Sequence, residues 1–253
     1  MKTDWDYSGL AKAYLARPQY ADEAVNAMFS ISDVTSGSRT CDVGAGVGHL
    51  TKHHIRNGFD VTAVEPNDAM REIGIRETTK LGSVIWKEGT GEETGLEDDS
   101  FKLVTFGSSF NVCDRLLALK ETKRILTSSG WFACMWNHRD LEDPIQSEIE
   151  SIISKKVSSY QYGSRREDQT KIIRDSGLFG NVISLSAGVV HSQTISECVE
   201  AWRSHATLER QAGSAFKGII REIEEFLIQE VGNNQADSFP IPYTTRIWIA
   251  QLR

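Results

Sequence analysis

Along the first 140 residues, short apolar runs alternate with stretches in which apolar positions recur at helical spacing, the pattern of an α/β protein with a parallel sheet. The runs predict strands over Arg39–Val43, Asp60–Glu65, Ser83–Glu88, Lys102–Phe106 and Gly130–Trp136. In WFACMW, within the last of these, consecutive rather than alternate residues are apolar, as in a strand covered on both faces. Helices are predicted from about Gly48, from Asn67 as the N-cap of DAMREIGI, and from about Asp114 to Leu126. The third is expected to stop at Ser128-Ser129-Gly130, with the glycine in a left-handed conformation.

Beyond Asp140 the pattern predicts a polar helix over about Ile145–Ser158, the segment Tyr160-Gln-Tyr-Gly163, a short helix to about Ser176 and a sixth strand over Asn181–Leu185. Phe216, Ile219, Ile220, Ile223, Phe226 and Leu227 recur at helical spacing and define a late helix with one buried face. A Pro240-Ile-Pro242 break precedes a final strand, Tyr243–Leu252. Residues Tyr7–Phe29 read as two short helices interrupted at Arg17-Pro18. No repeat or Pro/Ser/Gly linker divides the chain, so a single doubly wound, seven-stranded, mostly parallel α/β domain is expected over 1–253.

Composition adds little to that class but removes others. With 253 residues, 40% apolar and 25% charged, the chain has ordinary globular content, which excludes collagen-like and low-complexity readings. No apolar run approaches the ~18 residues of a membrane span, and MKTDWDYSGLAKAY lacks the apolar region of a signal peptide. Cys41, Cys113, Cys134 and Cys198 are widely spaced, so reduced thiols in a cytoplasmic protein are expected. The net charge of −7 is concentrated locally. Glu88, Glu92, Glu93, Glu97, Asp98 and Asp99 share one stretch with no Lys or Arg, and the remainder is close to neutral. Total charge therefore decides little about a partner.

The informative segment is Cys41-Asp-Val-Gly-Ala-Gly-Val-Gly48-His49, which leaves a strand and enters a helix. Glycines there let the backbone turn sharply and approach a ligand, and the helix start supplies free N–H groups. The dinucleotide fingerprint G-x-G-x-x-G would need glycine at position 49, where this chain has histidine. Its spacing, D-x-G-x-G-x-G from Asp42 to Gly48, favours an adenosyl ligand, and Glu65 at the end of the next strand is placed to accept from ribose hydroxyls.

On these residues the chain resembles class I S-adenosylmethionine-dependent methyltransferases over about 1–140, and most of all their small-molecule branch of about 250 residues. Tyr14-Leu-Ala-Arg17-Pro-Gln-Tyr20 is similar to that branch's Tyr…Arg-Pro-x-Tyr lead-in, which implies that Tyr14 and Arg17 sit over the methionine part of the cofactor. Asp42, Gly44, Ala45, Gly46 and Gly48 match the first motif, and Glu65-Pro66-Asn67 the ribose-binding acid. Thr90, Gly91 and Glu92 stand where the family contacts adenine. Ser108, Ser109 and Phe110 lie in the fourth-strand motif, and Trp136-Asn-His-Arg-Asp140 resembles the segment closing the fifth strand. The resemblance implies a Rossmann-like methyltransferase fold, S-adenosylmethionine as cofactor and a small-molecule acceptor, with neither nucleic acid nor membrane as partner. The chain divides accordingly into an N-terminal helical cap (1–35), a cofactor-binding core (36–140) and a variable substrate region (141–253) whose helices form a lid. Oligomeric state stays open.

An oxygen acceptor is favoured, on an anionic or sugar-type metabolite. The alternatives are N-methylation, a non-catalytic S-adenosylmethionine-binding regulatory protein and an NAD(P)-dependent oxidoreductase. Methyl transfer needs chiefly alignment, and a base only when a hydroxyl or protonated amine is methylated. Candidate bases are His138, His191 and His205, with Asn111 standing where the family often has histidine. Arg139, Arg165, Arg166 and Arg203 are candidates for holding an anionic acceptor, with Tyr162 beside it. The stretch Lys155–Arg174, with six cations against two acids, suits the same role. His49 and His53 share a helix face, but no further ligand stands at zinc spacing, so no metal is expected.

Overall fold

Seven strands, β1 (Arg39–Val43), β2 (Asp60–Val64), β3 (Val84–Lys87), β4 (Phe101–Gly107), β5 (Leu126–Arg139), β6 (Phe179–Thr194) and β7 (Ser238–Leu252), form one sheet in the order β3-β2-β1-β4-β5-β7-β6. The structure is a computed structural model describing residues 14–161, 167–232 and 238–253. Strands β1 to β5 pair in parallel, while β7 runs antiparallel to both β5 and β6. This is the mostly parallel doubly wound sheet that the alternating pattern predicts. The helices are α1 (Asp22–Ile31), α2 (His49–Arg56), α3 (Asp68–Thr78), α4 (Arg115–Ile125), α5 (Pro144–Lys156), α6 (Thr170–Asp175), α7 (Ile195–Arg203), α8 (Ala206–Ala212) and α9 (Phe216–Val231).

Both faces of the sheet are buried, which explains the unbroken apolar run of β5. Phe132, Cys134 and Trp136 pack with Phe106, Phe110, Leu119 and Phe179 on one side. Ala133 and Met135 pack with Val25, Met28 and Phe29 of α1 and Leu50 of α2 on the other. A separate core joins α5, α7, α8 and α9 to Phe239, Ile241 and Tyr243 of β7. The helix starts follow local chemistry: Asn67 Oδ1 accepts from the Met70 N–H at 3.0 Å, and Asp114 Oδ1 accepts from Leu116 and Leu117 at 3.0 and 3.1 Å.

Two expectations are corrected. Gly130 is no helix stop: α4 passes directly into β5 at Leu126, and Gly130 is not among the glycines with positive φ. The pairing of β4 with β5 jumps from Phe101↔Leu126 to Leu103↔Trp131, so residues 127–130 stand opposite Lys102 alone and the β5 side carries three extra residues. A Cβ on Gly130 would lie 2.8 Å from Leu126 Cδ2, so close packing fixes the glycine. Nor do Pro240 and Pro242 break the last strand, which runs through them from Ser238. They pair with Ser192 and Val190 of β6, but pairing with β5 ends at Arg139↔Tyr243. On that side there is no ladder for a missing N–H to interrupt.

The late helix α9 buries Ile219, Ile220, Ile223 and Leu227 on one face, as the spacing predicts. Phe216 and Tyr160 pack against the same core, and Trp202 is only 1% exposed within it. No helix among the described residues is long and apolar enough to cross a membrane.

Candidate active site

A cavity of about 330 Å³ runs across the carboxyl ends of β2, β1, β4 and β5 to the amino end of the antiparallel β7 and the carboxyl end of β6. At its β1–β2 end lies the glycine turn. Gly44 (φ 66°) and Ala45 donate to the Val64 carbonyl at 2.8 and 3.0 Å, folding the turn back onto β2. A Cβ on Gly44 would stand 2.4 Å from Ser109 Cβ, whereas one on Gly46 (φ 58°) would meet no protein atom within 4 Å. Gly46 therefore leaves open a cradle that a side chain would fill. Gly48 does not line the cavity; it caps α2 in the left-handed region.

Glu65 is 7% exposed, and both its oxygens are engaged: Oε2 accepts from Gly46 N–H and Oε1 from Asn67 N–H, each at 2.8 Å. Burial raises its pKa and these two hydrogen bonds oppose the rise. Each carboxylate oxygen has a second lone pair, which suits two ribose hydroxyls. Pro66, Thr90, Gly91, Glu92, Ser108 and Ser109 also line the cavity. Phe110 does not: it is fully buried, 5.5 and 5.2 Å from the Phe106 and Phe132 ring centroids. The alternation after β4 turns Ser109 toward the glycine loop, where its hydroxyl donates to the Val43 carbonyl at 2.6 Å.

Beneath the turn, Asp42 is fully buried and accepts from the Thr51 hydroxyl at 2.6 Å. Burial lifts its pKa to about 7 against the hydroxyl hydrogen bonds that hold it down. Thr105 Oγ1 lies 3.4 Å from Asp42 Oδ1 and 3.1 Å from His54 Nε2, and His54 Nδ1 lies 2.8 Å from Thr40 Oγ1. Burial pushes His54 down to about 3, so the ring is neutral. The three α2 histidines go to three different partners, and the described residues contain no cluster suited to a metal ion.

A feature that the sequence pattern did not disclose is the tie between residues 14–21 and the strand ends. His49 Nε2 donates to the Tyr14 carbonyl at 2.8 Å and Nδ1 accepts from Gln19 Nε2 at 2.7 Å. A carbonyl can only accept, which fixes this tautomer. Asn137 Nδ2 donates to the Pro18 and Gln19 carbonyls at 3.0 and 2.9 Å, and Tyr20 shares a 3.0 Å hydrogen bond with Ser108. Tyr14 and Arg17 thereby line the cavity, with the guanidinium 3.6 Å above the tyrosine ring. The one hint was His49 itself, the histidine that spoils the dinucleotide fingerprint.

The candidates for the acceptor side are partly reassigned. His138, Arg139, Asn111 and His205 line the cavity, with Gln193 and Tyr243, which sequence reasoning missed. Asn111 Oδ1 accepts from the Trp136 indole N–H at 2.9 Å. His205 Nδ1 accepts from Leu208 N–H at 3.1 Å, which puts the ring proton on Nε2. His191 is off the cavity wall, its Nε2 3.1 Å from the Ala16 carbonyl. Arg203 is likewise absent from the wall and pairs with Glu200 and Glu224, each at 3.5 Å. Tyr162, Arg165 and Arg166 lie outside the described residues. Of the basic stretch, Lys155, Lys156, Lys171 and Arg174 are ion-paired and away from the cavity. Nor does α9 reach it; the junction of α7 and α8 does, through Ala201, Ser204, His205 and Thr207.

A doubly wound sheet with a glycine turn after β1, an acid closing β2 and an antiparallel seventh strand defines a Rossmann-like fold of the methyltransferase type. Residues 41–134 match the family described as methyltransferase domain. An uncharacterised methyltransferase of Mycobacterium tuberculosis is 32% identical over 139 residues, 55% of this chain and 54% of that protein. A demethylmenaquinone methyltransferase of Staphylococcus aureus is 33% identical over 106 residues, 40% of this chain and 44% of that protein. The chain spans about half the length of the curated relatives it matches. A solved structure of a putative type II methyltransferase from Anaeromyxobacter dehalogenans shares the fold, with TM-score 0.63 and 16% identity over 94% of this chain and 97% of that one. Over residues 41–134 the chain is thus similar to methyltransferase domains, in a sheet of the methyltransferase type.

Proposed function

We propose that the protein transfers a methyl group from S-adenosylmethionine to an oxygen atom of a small molecule. The observation that carries this reading is the continuity of one cavity between two chemically different ends. At one end are the Gly46 cradle and Glu65; at the other, among the described residues, are Arg139, His205 and Tyr243 without a carboxylate. The carboxylates on the wall, Asp42, Glu65 and Glu92, lie in β1 or follow β2 and β3. A cationic amine would meet Arg139 with no opposing charge, so a neutral or anionic oxygen acceptor suits this end better.

The residues present fit the cofactor. Glu65 would hold the ribose hydroxyls through its second lone pairs, and the glycine turn gives the ligand backbone-close access. When bound, the cofactor supplies a methyl group on a sulfonium whose C–S bonding electrons leave with sulfur as the carbon–oxygen bond forms. The protein's share is alignment and exclusion of water by the tied segment 14–21. His138, at the end of β5 beside Arg139, is the residue we assign to take the proton of a hydroxyl acceptor. Aspects of the site outside that role, His205 and Asn111, act as hydrogen-bonding wall.

The direct test is calorimetry with S-adenosylmethionine, S-adenosylhomocysteine and NAD, followed by transfer of labelled methyl to a panel of hydroxyl, carboxylate and amine acceptors. Binding of the two sulfur ligands and label in methyl ethers or esters is expected. Binding of NAD alone, or label confined to N-methyl products, would overturn the reading. Binding without any turnover across the panel would favour the regulatory, non-catalytic alternative.

A further inference from the structure

The cavity is electrically lopsided. Its three carboxylates sit at the β1–β3 side, and the β5–β7 side carries Arg139. The cation is held there deliberately by its surroundings. Its guanidinium carbon stands 3.5 Å above the centre of the Trp202 ring, and Trp202 is itself buried to 1% exposure in the α7 core. Tyr243, which pairs with Arg139 across the β5–β7 ladder, lies within reach of the same charge. Burial raises the tyrosine's pKa, and Arg139 works against that rise. Among the described residues no carboxylate is within ion-pair distance of Arg139. The described arginines that do have ion pairs, Arg71, Arg115, Arg124, Arg174, Arg203 and Arg221, are matched to acids.

A half-buried cation with an aromatic platform but no counter-charge among the described residues is a group open to an electrostatic partner supplied by a ligand. The platform offsets part of the desolvation and fixes the plane of the fork. A planar guanidinium so fixed presents parallel N–H donors that match two oxygens of one anion. His205, whose Nδ1 accepts from Leu208 N–H, lines the same end of the cavity and carries no negative charge. Arg17, the cavity's other arginine, belongs to the tied segment and stacks on Tyr14 instead.

We propose that Arg139, planted on Trp202 and flanked by Tyr243 and His205, is the anchor for an anionic group, a carboxylate or phosphate, on the methyl acceptor. The proposal deepens the methyltransferase reading and rests on it. It makes the acceptor an organic acid or phosphate ester whose charged group is bound away from the glycine turn. The anchored anion is a handle that orients the molecule, and an apolar or cationic acceptor is excluded by the uncompensated arginine.

The test uses the full-length protein saturated with S-adenosylhomocysteine, titrated by calorimetry with two matched pairs: 3-hydroxybenzoate against 3-hydroxybenzamide, and glycerol 3-phosphate against glycerol. At least one anion is expected to bind tenfold or more tightly than its neutral partner, and the pair that discriminates tells carboxylate from phosphate. Arg139→Gln should abolish the preference while leaving S-adenosylhomocysteine affinity within twofold, and Arg139→Lys should retain part of it. Tyr243→Phe, which keeps the charge and the ring, guards against a folding defect and should weaken the preferred anion severalfold. The proposal is overturned if neither anion binds at millimolar concentration, if the preference survives Arg139→Gln, or if that variant instead loses the sulfur ligand. Failure of the wild-type protein to bind S-adenosylhomocysteine would sink the methyltransferase reading itself, and is seen before any acceptor is added.

Discussion

Glu65 accepts a backbone N–H on each oxygen, and this makes the position intolerant even of its own amide. In Glu65→Gln one acceptor becomes an N–H₂ facing a backbone donor, Gly46 or Asn67, so the side chain must leave one of them unsatisfied. Both Glu65→Gln and Glu65→Ala are expected to weaken S-adenosylhomocysteine binding about 100-fold, equivalent to ~3 kcal/mol for two lost hydrogen bonds to a charged group, read by calorimetry. Glutamine retaining wild-type affinity would remove Glu65 from the ribose site. Gly44 and Gly46 separate fold from function in the same way. Gly44→Ala puts a Cβ against Ser109 and should lower thermal stability before any ligand is added. Gly46→Ala meets no protein atom. It should cost about 1–2 kcal/mol of left-handed strain yet impair cofactor binding more than stability.

At the scale of the element, α2 carries three histidines that burial holds below the ordinary range: His49, His53 and His54, the last at about 3. The fold wants all three neutral. As pH falls through about 6.5 the unfolded chain takes up protons that the folded chain refuses, so their contribution, complete above that pH, drains away on acidification. Asp42 works oppositely, because its folded-state pKa is raised to about 7. It favours the folded state at low pH, and that contribution is lost as pH rises from the ordinary carboxylate range toward 7. Glu65, also raised by burial, works with Asp42, but three histidines against these two carboxyls give a net loss of stability between pH 6.5 and 5, measurable as a falling urea midpoint. His54→Asn should cost stability at pH 7 but flatten that slope by up to about 1.4 kcal/mol per pH unit. An unchanged slope would mean that His54 is not excluded from protonation in the fold. In α7, Trp202→Ala should cost about 3–5 kcal/mol of stability, because the indole fills the helical core as well as supporting Arg139.

Across the whole molecule, the half that was legible in the sequence is the half built from local chemistry. Asp42 to Glu65 is a single strand–turn–helix–strand passage, so its glycines and its acid sit in one stretch of chain and fall in one place. The N-caps at Asn67 and Asp114 could be read for the same reason. The acceptor end assembles Arg139, His205 and Tyr243 from three distant segments, and only the β5–β7 register, Arg139↔Tyr243, brings two of them together. No periodicity carries that register. It is also why His191 was misplaced: helical or strand pattern says that a histidine is there, but only the pairing of β6 sets it toward Ala16 rather than the cavity. Arg203 failed differently, because its acids, Glu200 one turn back and Glu224 on α9, were indistinguishable from solvated charges.

The antiparallel seventh strand has a further consequence for how such a protein can be altered. Strands β1 to β4 with the turns that follow them, and the tied segment 14–21, hold what is proposed for the cofactor, while β6 and β7 reach beyond them as a two-stranded ribbon with fourteen paired positions. Gln193 and Tyr243 on that ribbon face the cavity without touching the glycine turn's hydrogen bonds. Recombination near the end of β5 would therefore exchange acceptor preference as a cassette. A chimera that takes residues 138–252 from a relative of different appetite, so that the positions of His138 and Arg139 travel with the ribbon, would inherit a new clientele on an unchanged methyl donor.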